Sequence, residues 1–245
     1  RVPAARSVPG MSAGDWTAAP FDGSGAIDVW LHAPADRAPA VVLLQEIFGV
    51  NAAMRACAAD LAAAGFAVAA PDLFHRLAPR VDLGYSDAER TRAFELWERF
   101  DDAQGAADAA AMARWAREQP WCNGRVAYLG FCLGGRMAVK AAAVAPAPLV
   151  SFYGVKLDEE RRTLEDLAAA AIPMQFHFGT ADAHVPAATV GLVAAAIGTG
   201  PMGSVHVYEG AAHGFFNALR PGSFHPTAAA SASERMTTFL RTALS

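Results

Sequence analysis

The sequence predicts an α/β fold with a mostly parallel central sheet and helices on both faces. Three observations carry that expectation. Short apolar runs alternate with longer alanine-rich stretches of helical pattern along the 245 residues, as a parallel sheet with helical crossovers requires. One such run, 125–129, leads straight into Gly130-Phe131-Cys132-Leu133-Gly134-Gly135, a strand-to-helix turn sharp enough to need glycines around its apex. An acid and a histidine then follow two later apolar runs, where sites collect in parallel sheets.

The elements read in order as follows. Residues 41–44 form a buried strand, 51–64 a helix stopped by Gly65, and 66–70 the next strand, ended by Pro71-Asp72. Ser86-Asp87-Ala88-Glu89 is a capping box opening a helix that carries Phe94 and Trp97. A second helix spans 102–119 and closes at Pro120, which has no N–H to continue the ladder. Residues 126–129 are the strand into the glycine turn and 136–144 the helix out of it. Strands at 149–153 and 174–179, a helix at 187–197 and a last strand at 205–208 complete the alternation. Ser231-Ala232-Ser233-Glu234 is expected to cap a C-terminal helix. No repeat or linker interrupts residues 11–245, so they are expected to form a single domain. Residues 1–10, ahead of Met11, read as an expression remnant or a disordered extension.

Composition narrows the function. Hydrophobic residues make up 53% of the chain and charged ones 18%, enough apolar material for a sizeable core. A net charge of −4 with no Lys/Arg block argues against a nucleic-acid partner. No apolar run approaches the ~20 residues of a membrane-spanning helix, so no membrane partner is expected. The three cysteines, Cys57, Cys122 and Cys132, show neither CxxC nor Cys/His spacing. Neither a disulfide framework nor a metal site is indicated, which suits the reducing cytoplasm.

The glycine turn places Cys132 over a helix N-terminus, whose N–H groups and positive dipole end favour a thiolate and a developing oxyanion. Cys132 is therefore read as an acyl-transfer nucleophile. Such an elbow calls for an acid after a later strand and a histidine after the last one. Asp182, behind 174–179, and His213, in the glycine-flanked loop behind 205–208, fill those places as orienting carboxylate and general base or acid. Asp158 and Asp166 compete with Asp182 but follow no strand closely; His184 is the nearest rival of His213 and reads as peripheral. His177 alternates within a strand and reads as packed or surface-facing. Cys57 and Cys122 read as ordinary small hydrophobes.

A second signal is Leu43-Leu44-Gln45-Glu46-Ile47-Phe48-Gly49-Val50-Asn51, a buried strand running into a carboxylate and a glycine turn. The corresponding loop supplies the second oxyanion donor in folds with a nucleophile elbow, so the backbone amides of Ile47 and Leu133 are the candidate oxyanion hole. Glu46 is either part of the chemistry or a rim carboxylate paired to an arginine.

The segments Gln45 to Asn51, Pro71-Asp72-Leu73, Gly130 to Gly135 and Ala212-His213-Gly214-Phe215 together resemble the dienelactone hydrolases (carboxymethylenebutenolidases) of the α/β-hydrolase superfamily, in order and over nearly the whole chain from Met11. The resemblance implies an α/β-hydrolase fold, no metal or cofactor, and hydrolysis of a carboxylate-bearing enol-lactone, 4-carboxymethylenebut-2-en-4-olide to maleylacetate, through a cysteine thioester. It implies that Glu46 helps draw the proton from Cys132 when substrate arrives. It also places the substrate carboxylate on Arg90, counted back from Trp97 in Glu89 to Trp97, with Arg92 as the fallback, and Phe94 and Trp97 beside it. Two positions depart from the family. Asn217, expected among the substrate-binding residues, stands where a second arginine is usual, four residues after His213, and Phe94 where a tyrosine is often found. A neutral amide cannot make the bidentate contact of a guanidinium; Arg220, seven residues beyond His213, is a candidate replacement.

The leading expectation is thus a cofactor-free hydrolase of a dienelactone or related ester, working as a cytoplasmic monomer in degradation of chloroaromatics. A broader esterase or thioesterase is the alternative within enzymes, and a non-catalytic ligand-binding scaffold the alternative outside them.

Overall fold

A computed structural model describes residues 14–21, 25–198, 200 and 202–245. The expected extension 1–10 lies outside the described residues. Among the described residues, eight strands form one sheet: β1 (Asp15–Phe21), β2 (Gly25–His32), β3 (Ala38–Leu44), β4 (Ala67–Pro71), β5 (Cys122–Phe131), β6 (Leu149–Phe152), β7 (Met174–Gly179) and β8 (Gly203–Tyr208). Their order is β1-β2-β4-β3-β5-β6-β7-β8. Only β1–β2 and β2–β4 pair antiparallel; every pairing from β4 to β8 is parallel. The expected α/β-hydrolase architecture is therefore present. β1 and β2 are not legible in the sequence, because they carry tryptophans, a proline and charges rather than a clean apolar run.

Seven α-helices among the described residues cover the sheet: α1 (Ala52–Ala63), α2 (Asp87–Glu98), α3 (Asp102–Glu118), α4 (Leu133–Val144), α5 (Arg161–Ala169), α6 (Ala187–Ile197) and α7 (Pro226–Ala243). Their starts follow local chemistry. Asn51 caps α1, its side-chain oxygen accepting from the amides of Ala53 and Met54. The Ser86/Glu89 capping box opens α2 as expected, and Asp101 caps α3. Strands β3, β5 and β8 begin two to four residues earlier than expected, and two helix starts also differ. α4 starts at Leu133, three residues early, because it begins directly beneath the turn. α7 starts at Pro226 with His225 as its cap, so Ser231–Glu234 lie inside the helix; proline, which favours a first helical turn, outcompetes the later serine. α5, with its Arg161/Glu165 and Arg162/Asp166 pairs, is a further helix that the sequence reading lacks.

Small side chains let these layers approach closely. Gly105, Ala106, Ala109, Ala110, Ala113 and Ala116 bury one face of α3, while Tyr128, Phe131, Phe152, Phe176 and Phe178 fill the interior from the strands. The parallel register is what locates the site. Leu44 lies opposite Gly130, Gly130 opposite Ser151, Phe152 opposite His177, and Gly179 opposite Tyr208. The residues that follow each strand are thereby delivered to one edge of the sheet: Glu46, Cys132, Tyr153, Asp182 and His213.

Candidate active site

Cys132 sits at φ 54° and ψ −114°, a conformation that costs a non-glycine residue about 1–3 kcal/mol. Neighbouring glycines make it possible. A Cβ on Gly130 would lie 1.9 Å from the carbonyl oxygen of Gly134, and one on Gly134 would lie 2.2 Å from that of Leu44. Backbone bonds hold the apex: the Cys132 amide donates to Phe152 O at 3.0 Å, and its carbonyl accepts from Gly135 at 3.0 Å. The turn therefore pushes the thiol out of the strand and onto the start of α4. Cys132 is 8% exposed and lines a cleft with Glu46, Ile47, Phe48, Arg90 and His213.

His213 is held from the opposite side. Its Nδ1 lies 2.9 Å from Asp182 Oδ2, while Asp182 Oδ1 accepts the amides of His184 at 2.8 Å and Val185 at 3.1 Å. The bond to Asp182 makes Nδ1 a protonated nitrogen and leaves Nε2 for the Cys132 side chain, which lines the same cleft. Burial opposes the imidazolium, but Cys132 and Asp182 together outweigh it and push His213 up to about 10. His184 packs edge-on against His213 with ring centroids 4.8 Å apart and lines the cleft, which corrects its reading as peripheral. Asp158 lies in a short 3-10 turn and Asp166 pairs with Arg162 on the surface of α5, so Asp182 alone of the three meets His213.

Glu46 is 2% exposed, not a rim carboxylate. Its Oε1 accepts the Tyr153 hydroxyl at 3.2 Å, and its Oε2 is buried without a hydrogen-bond partner among the described residues. Burial raises its pKa, against the opposing pull of His213, Arg220, the Tyr153 hydroxyl and the Asn217 amide. The loop carrying it is tied to the elbow, because the Gly134 amide donates to Gln45 O at 3.0 Å. Ile47 and Leu133 are thus set on two joined loops at the same edge. Leu133, as the first residue of α4, has an N–H that the helix itself cannot satisfy.

The far wall comes from α2 and the loop after His213. Arg90, Phe94 and Trp97 all line the cleft; Arg92 instead pairs with Glu95 on the surface. The Arg90 Nε is buried with no hydrogen-bond partner among the described residues. Arg220 also lines the cleft, its guanidinium 6.0 Å from the Phe48 ring centroid and 5.8 Å from that of Tyr85. Asn217 is not brought to the cleft wall. It is buried, its amide donates to the Tyr85 hydroxyl, and its Oδ1 accepts from Leu219 at 3.0 Å. The Tyr85 hydroxyl also accepts from Asn51 at 3.1 Å, joining Asn217 to the cap of α1.

Sequence reasoning missed Tyr85 and Tyr153. Tyr153 had a readable signal, since it follows a buried strand just as Cys132 does. Tyr85 had none, because its partners lie 34 and 132 residues away. No cluster of metal-ligating side chains occurs among the described residues, and no helix there is long and apolar enough to cross a membrane. Cys57 and Cys122 are buried away from the cleft, and burial pushes the Cys57 thiol up.

The arrangement can present a nucleophile, an oriented imidazole, backbone donors and two cations to one small molecule. Comparison with known proteins agrees. The family model of the dienelactone hydrolases matches residues 27–244. A carboxymethylenebutenolidase of Pseudomonas putida is 40% identical over 205 residues, covering 83% of this chain and 85% of its own. One from Pseudomonas sp. strain P51 is 36% identical over 222 residues, covering 89% and 91%. A crystal structure of a candidate dienelactone hydrolase from Klebsiella pneumoniae superposes with a TM-score of 0.79 at 27% identity, over 94% of this chain and 98% of that one. The chain belongs to the dienelactone hydrolase family, and is a hydrolase of lactone or ester bonds built on the α/β-hydrolase fold.

Proposed function

We propose that this enzyme hydrolyses a carboxylate-bearing enol-lactone of the 4-carboxymethylenebut-2-en-4-olide type to maleylacetate, through a Cys132 thioester, as a step in chloroaromatic degradation. The carrying observation is a strained cysteine elbow beside an Asp182-oriented His213, in one cleft with Arg90 and Arg220. Carboxymethylenebutenolidases among the relatives support the substrate class. The two cations suit an acid substrate, since a guanidinium holds a carboxylate by charge-assisted bonds.

In the proposed cycle Arg90 and Arg220 hold the substrate carboxylate against Phe94 and Trp97. Cys132 gives its proton to Glu46 or His213, and its sulfur attacks the lactone carbonyl. The C–O bond opens, with the oxyanion held by the Ile47 and Leu133 amides. The imidazolium of His213 hands its proton to the leaving enolate and becomes a neutral base. It then takes a proton from water, whose oxygen attacks the thioester and frees Cys132. Asp182 keeps the imidazole in the required tautomer. Asn217 acts from behind the cleft through Tyr85. No cofactor takes part, and the enzyme works on small molecules as a cytoplasmic monomer, with residues 11–245 as its single domain.

A broader esterase is the second reading, favoured by the neutral Asn217 at the place of the family's second arginine. Comparing kcat/KM for cis- and trans-dienelactone with that for simple aryl esters and thioesters separates the two. Preference for a dienelactone by about tenfold or more is expected, a difference of ~1.4 kcal/mol in transition-state binding; a preference for neutral esters would establish the broader enzyme. Cys132→Ala should lower turnover on every substrate by about 10⁴-fold or more with the thermal midpoint nearly unchanged, and retained hydrolysis would remove the thioester.

A further inference from the structure

The turn after β6 is bonded directly to the cysteine elbow. Phe152 O accepts the amide of Cys132 at 3.0 Å, and the amide of Val155 reaches Cys132 O at 3.4 Å. The segment thus brackets the peptide of Cys132 on both sides. Between those two contacts stands Tyr153, fully buried, with φ 38°. This left-handed conformation is unfavourable for a bulky residue and persists only where its surroundings over-determine it. Its amide is tied to His177 O at 2.8 Å. The side chain that results points to both candidate bases: the hydroxyl donates to Glu46 Oε1 at 3.2 Å, and the ring meets His213 edge-on at 4.9 Å.

We infer that Tyr153 is a positioning residue, holding the Glu46 carboxylate as an acceptor for the Cys132 proton while packing the His213 ring in place. This deepens the proposed cycle and rests on Glu46 having that role. Glu46 needs such a donor. It is taken out of water, its Oε2 has no hydrogen bond among the described residues, and an ionised carboxylate in that state is costly. The groups whose charge or dipole bears on it are His213, Asn217 and Arg220 from the loop after β8, Tyr85 from the loop before α2, and Tyr153 itself. Of the neutral groups, the Tyr153 hydroxyl donates to the carboxylate at 3.2 Å, and the Asn217 amide favours the same charged form. A hydrogen bond to the carboxylate favours its charged form, so losing the hydroxyl should lift the pH at which Glu46 begins to accept a proton from Cys132.

The test is the pH dependence of Cys132 alkylation by iodoacetamide, alongside the pH profile of kcat/KM for a dienelactone. Tyr153→Phe keeps the ring against His213 and removes only the hydroxyl. Alkylation near pH 6 is expected to slow by about fivefold, and the acid limb of kcat/KM to move to higher pH. Replacing Tyr153 with 3-fluorotyrosine, an almost isosteric and stronger donor, should move the same limb the other way; this keeps the test open if the phenylalanine variant folds poorly. In a Glu46→Gln background Tyr153→Phe should have no further effect on alkylation. Limbs that stay put in both Tyr153 variants would overturn the inference, as would a Tyr153→Phe effect that is undiminished in the Glu46→Gln background. Slowed alkylation of the Glu46→Gln protein would in either case still support the Glu46 role. A Glu46→Gln protein alkylated as fast as the wild type would instead remove the Glu46 role itself, and this inference with it.

Discussion

Gly134 donates its amide to the carbonyl of Gln45 at 3.0 Å, joining the cysteine elbow to the loop that ends β3. Because Ile47 lies two residues beyond one partner and Leu133 one residue before the other, this bond sets the spacing of the two candidate oxyanion donors. The closeness is possible only without side-chain atoms, since a Cβ on Gly134 would stand 2.2 Å from Leu44 O and 2.7 Å from Gln45 O. Both obstructing atoms are backbone and have no rotamer to escape into.

Gly134→Ala is therefore expected to part the two loops. It should destabilise the protein by about 2 kcal/mol or more, as overpacking at a close approach does. Because the donors also separate, kcat should fall by about 10²-fold or more in whatever fraction remains folded. Denaturant titration with single-turnover assays checks both; an active variant of wild-type stability would contradict the spacing argument.

Asp182→Asn should change where the enzyme loses activity on the alkaline side. His213 is held up to about 10 although burial opposes it, with Cys132 and Asp182 supplying the lift. Its protonated form is present below that value and is lost as the pH rises through it. Without the carboxylate the alkaline limb of kcat/KM should move toward neutral pH, and kcat should drop by roughly 10²- to 10⁴-fold as the tautomer is lost. A full pH–rate profile measures this, and an unmoved limb would show that Asp182 does not set the charge on His213.

Arg90→Ala and Arg220→Ala should each raise KM for a carboxylate-bearing lactone by roughly ten- to a hundredfold, the worth of a charge-assisted hydrogen bond. KM for a neutral aryl ester should change little. If both variants treat acid and neutral substrates alike, neither guanidinium recognises a carboxylate.

His177 gives a prediction about stability rather than turnover. It is fully buried, stacked on Phe152 at 4.3 Å, with Nδ1 2.9 Å from the Tyr208 hydroxyl and Nε2 2.9 Å from Gln175 Oε1. Burial, helped by the neighbouring His206 and Arg235, holds it well below the usual histidine value. The folded protein thus refuses a proton that the unfolded chain accepts below pH about 6.5. Stability from this site is complete above that pH and declines by about 1.4 kcal/mol per unit as the pH falls further. Urea titrations between pH about 7.5 and about 5, a span that brackets the unfolded value, should show a shallower decline for His177→Gln than for the wild type. Equal slopes would mean that His177 does not carry this dependence.

Much of this was legible from residue order. Although the contact of Gly134 with Leu44 joins residues far apart in the chain, Gly130 announced a turn because its close contact is with Gly134, four positions on. The capping box of α2 was readable for the same reason: Ser86 and Glu89 are three residues apart. Parallel strands placed the acid and the histidine, since every strand end in such a sheet reaches the same edge. The start of α7 was not readable, because serine and proline offer two local starts and only the packing of the helix distinguishes them.

By itself, then, the sequence determined the fold class, the cysteine elbow and the order of Asp182 and His213, all of which follow from local geometry and strand direction. Tertiary structure alone decided that Glu46 is buried on Tyr153 instead of lying at a rim, that Asn217 turns to Tyr85 while Arg220 enters the cleft, and that His184 lies against His213. Those relations join residues far apart in the chain. Their energies depend on desolvation and on which distant dipoles face one another, and neither quantity is set until the strands have taken their register.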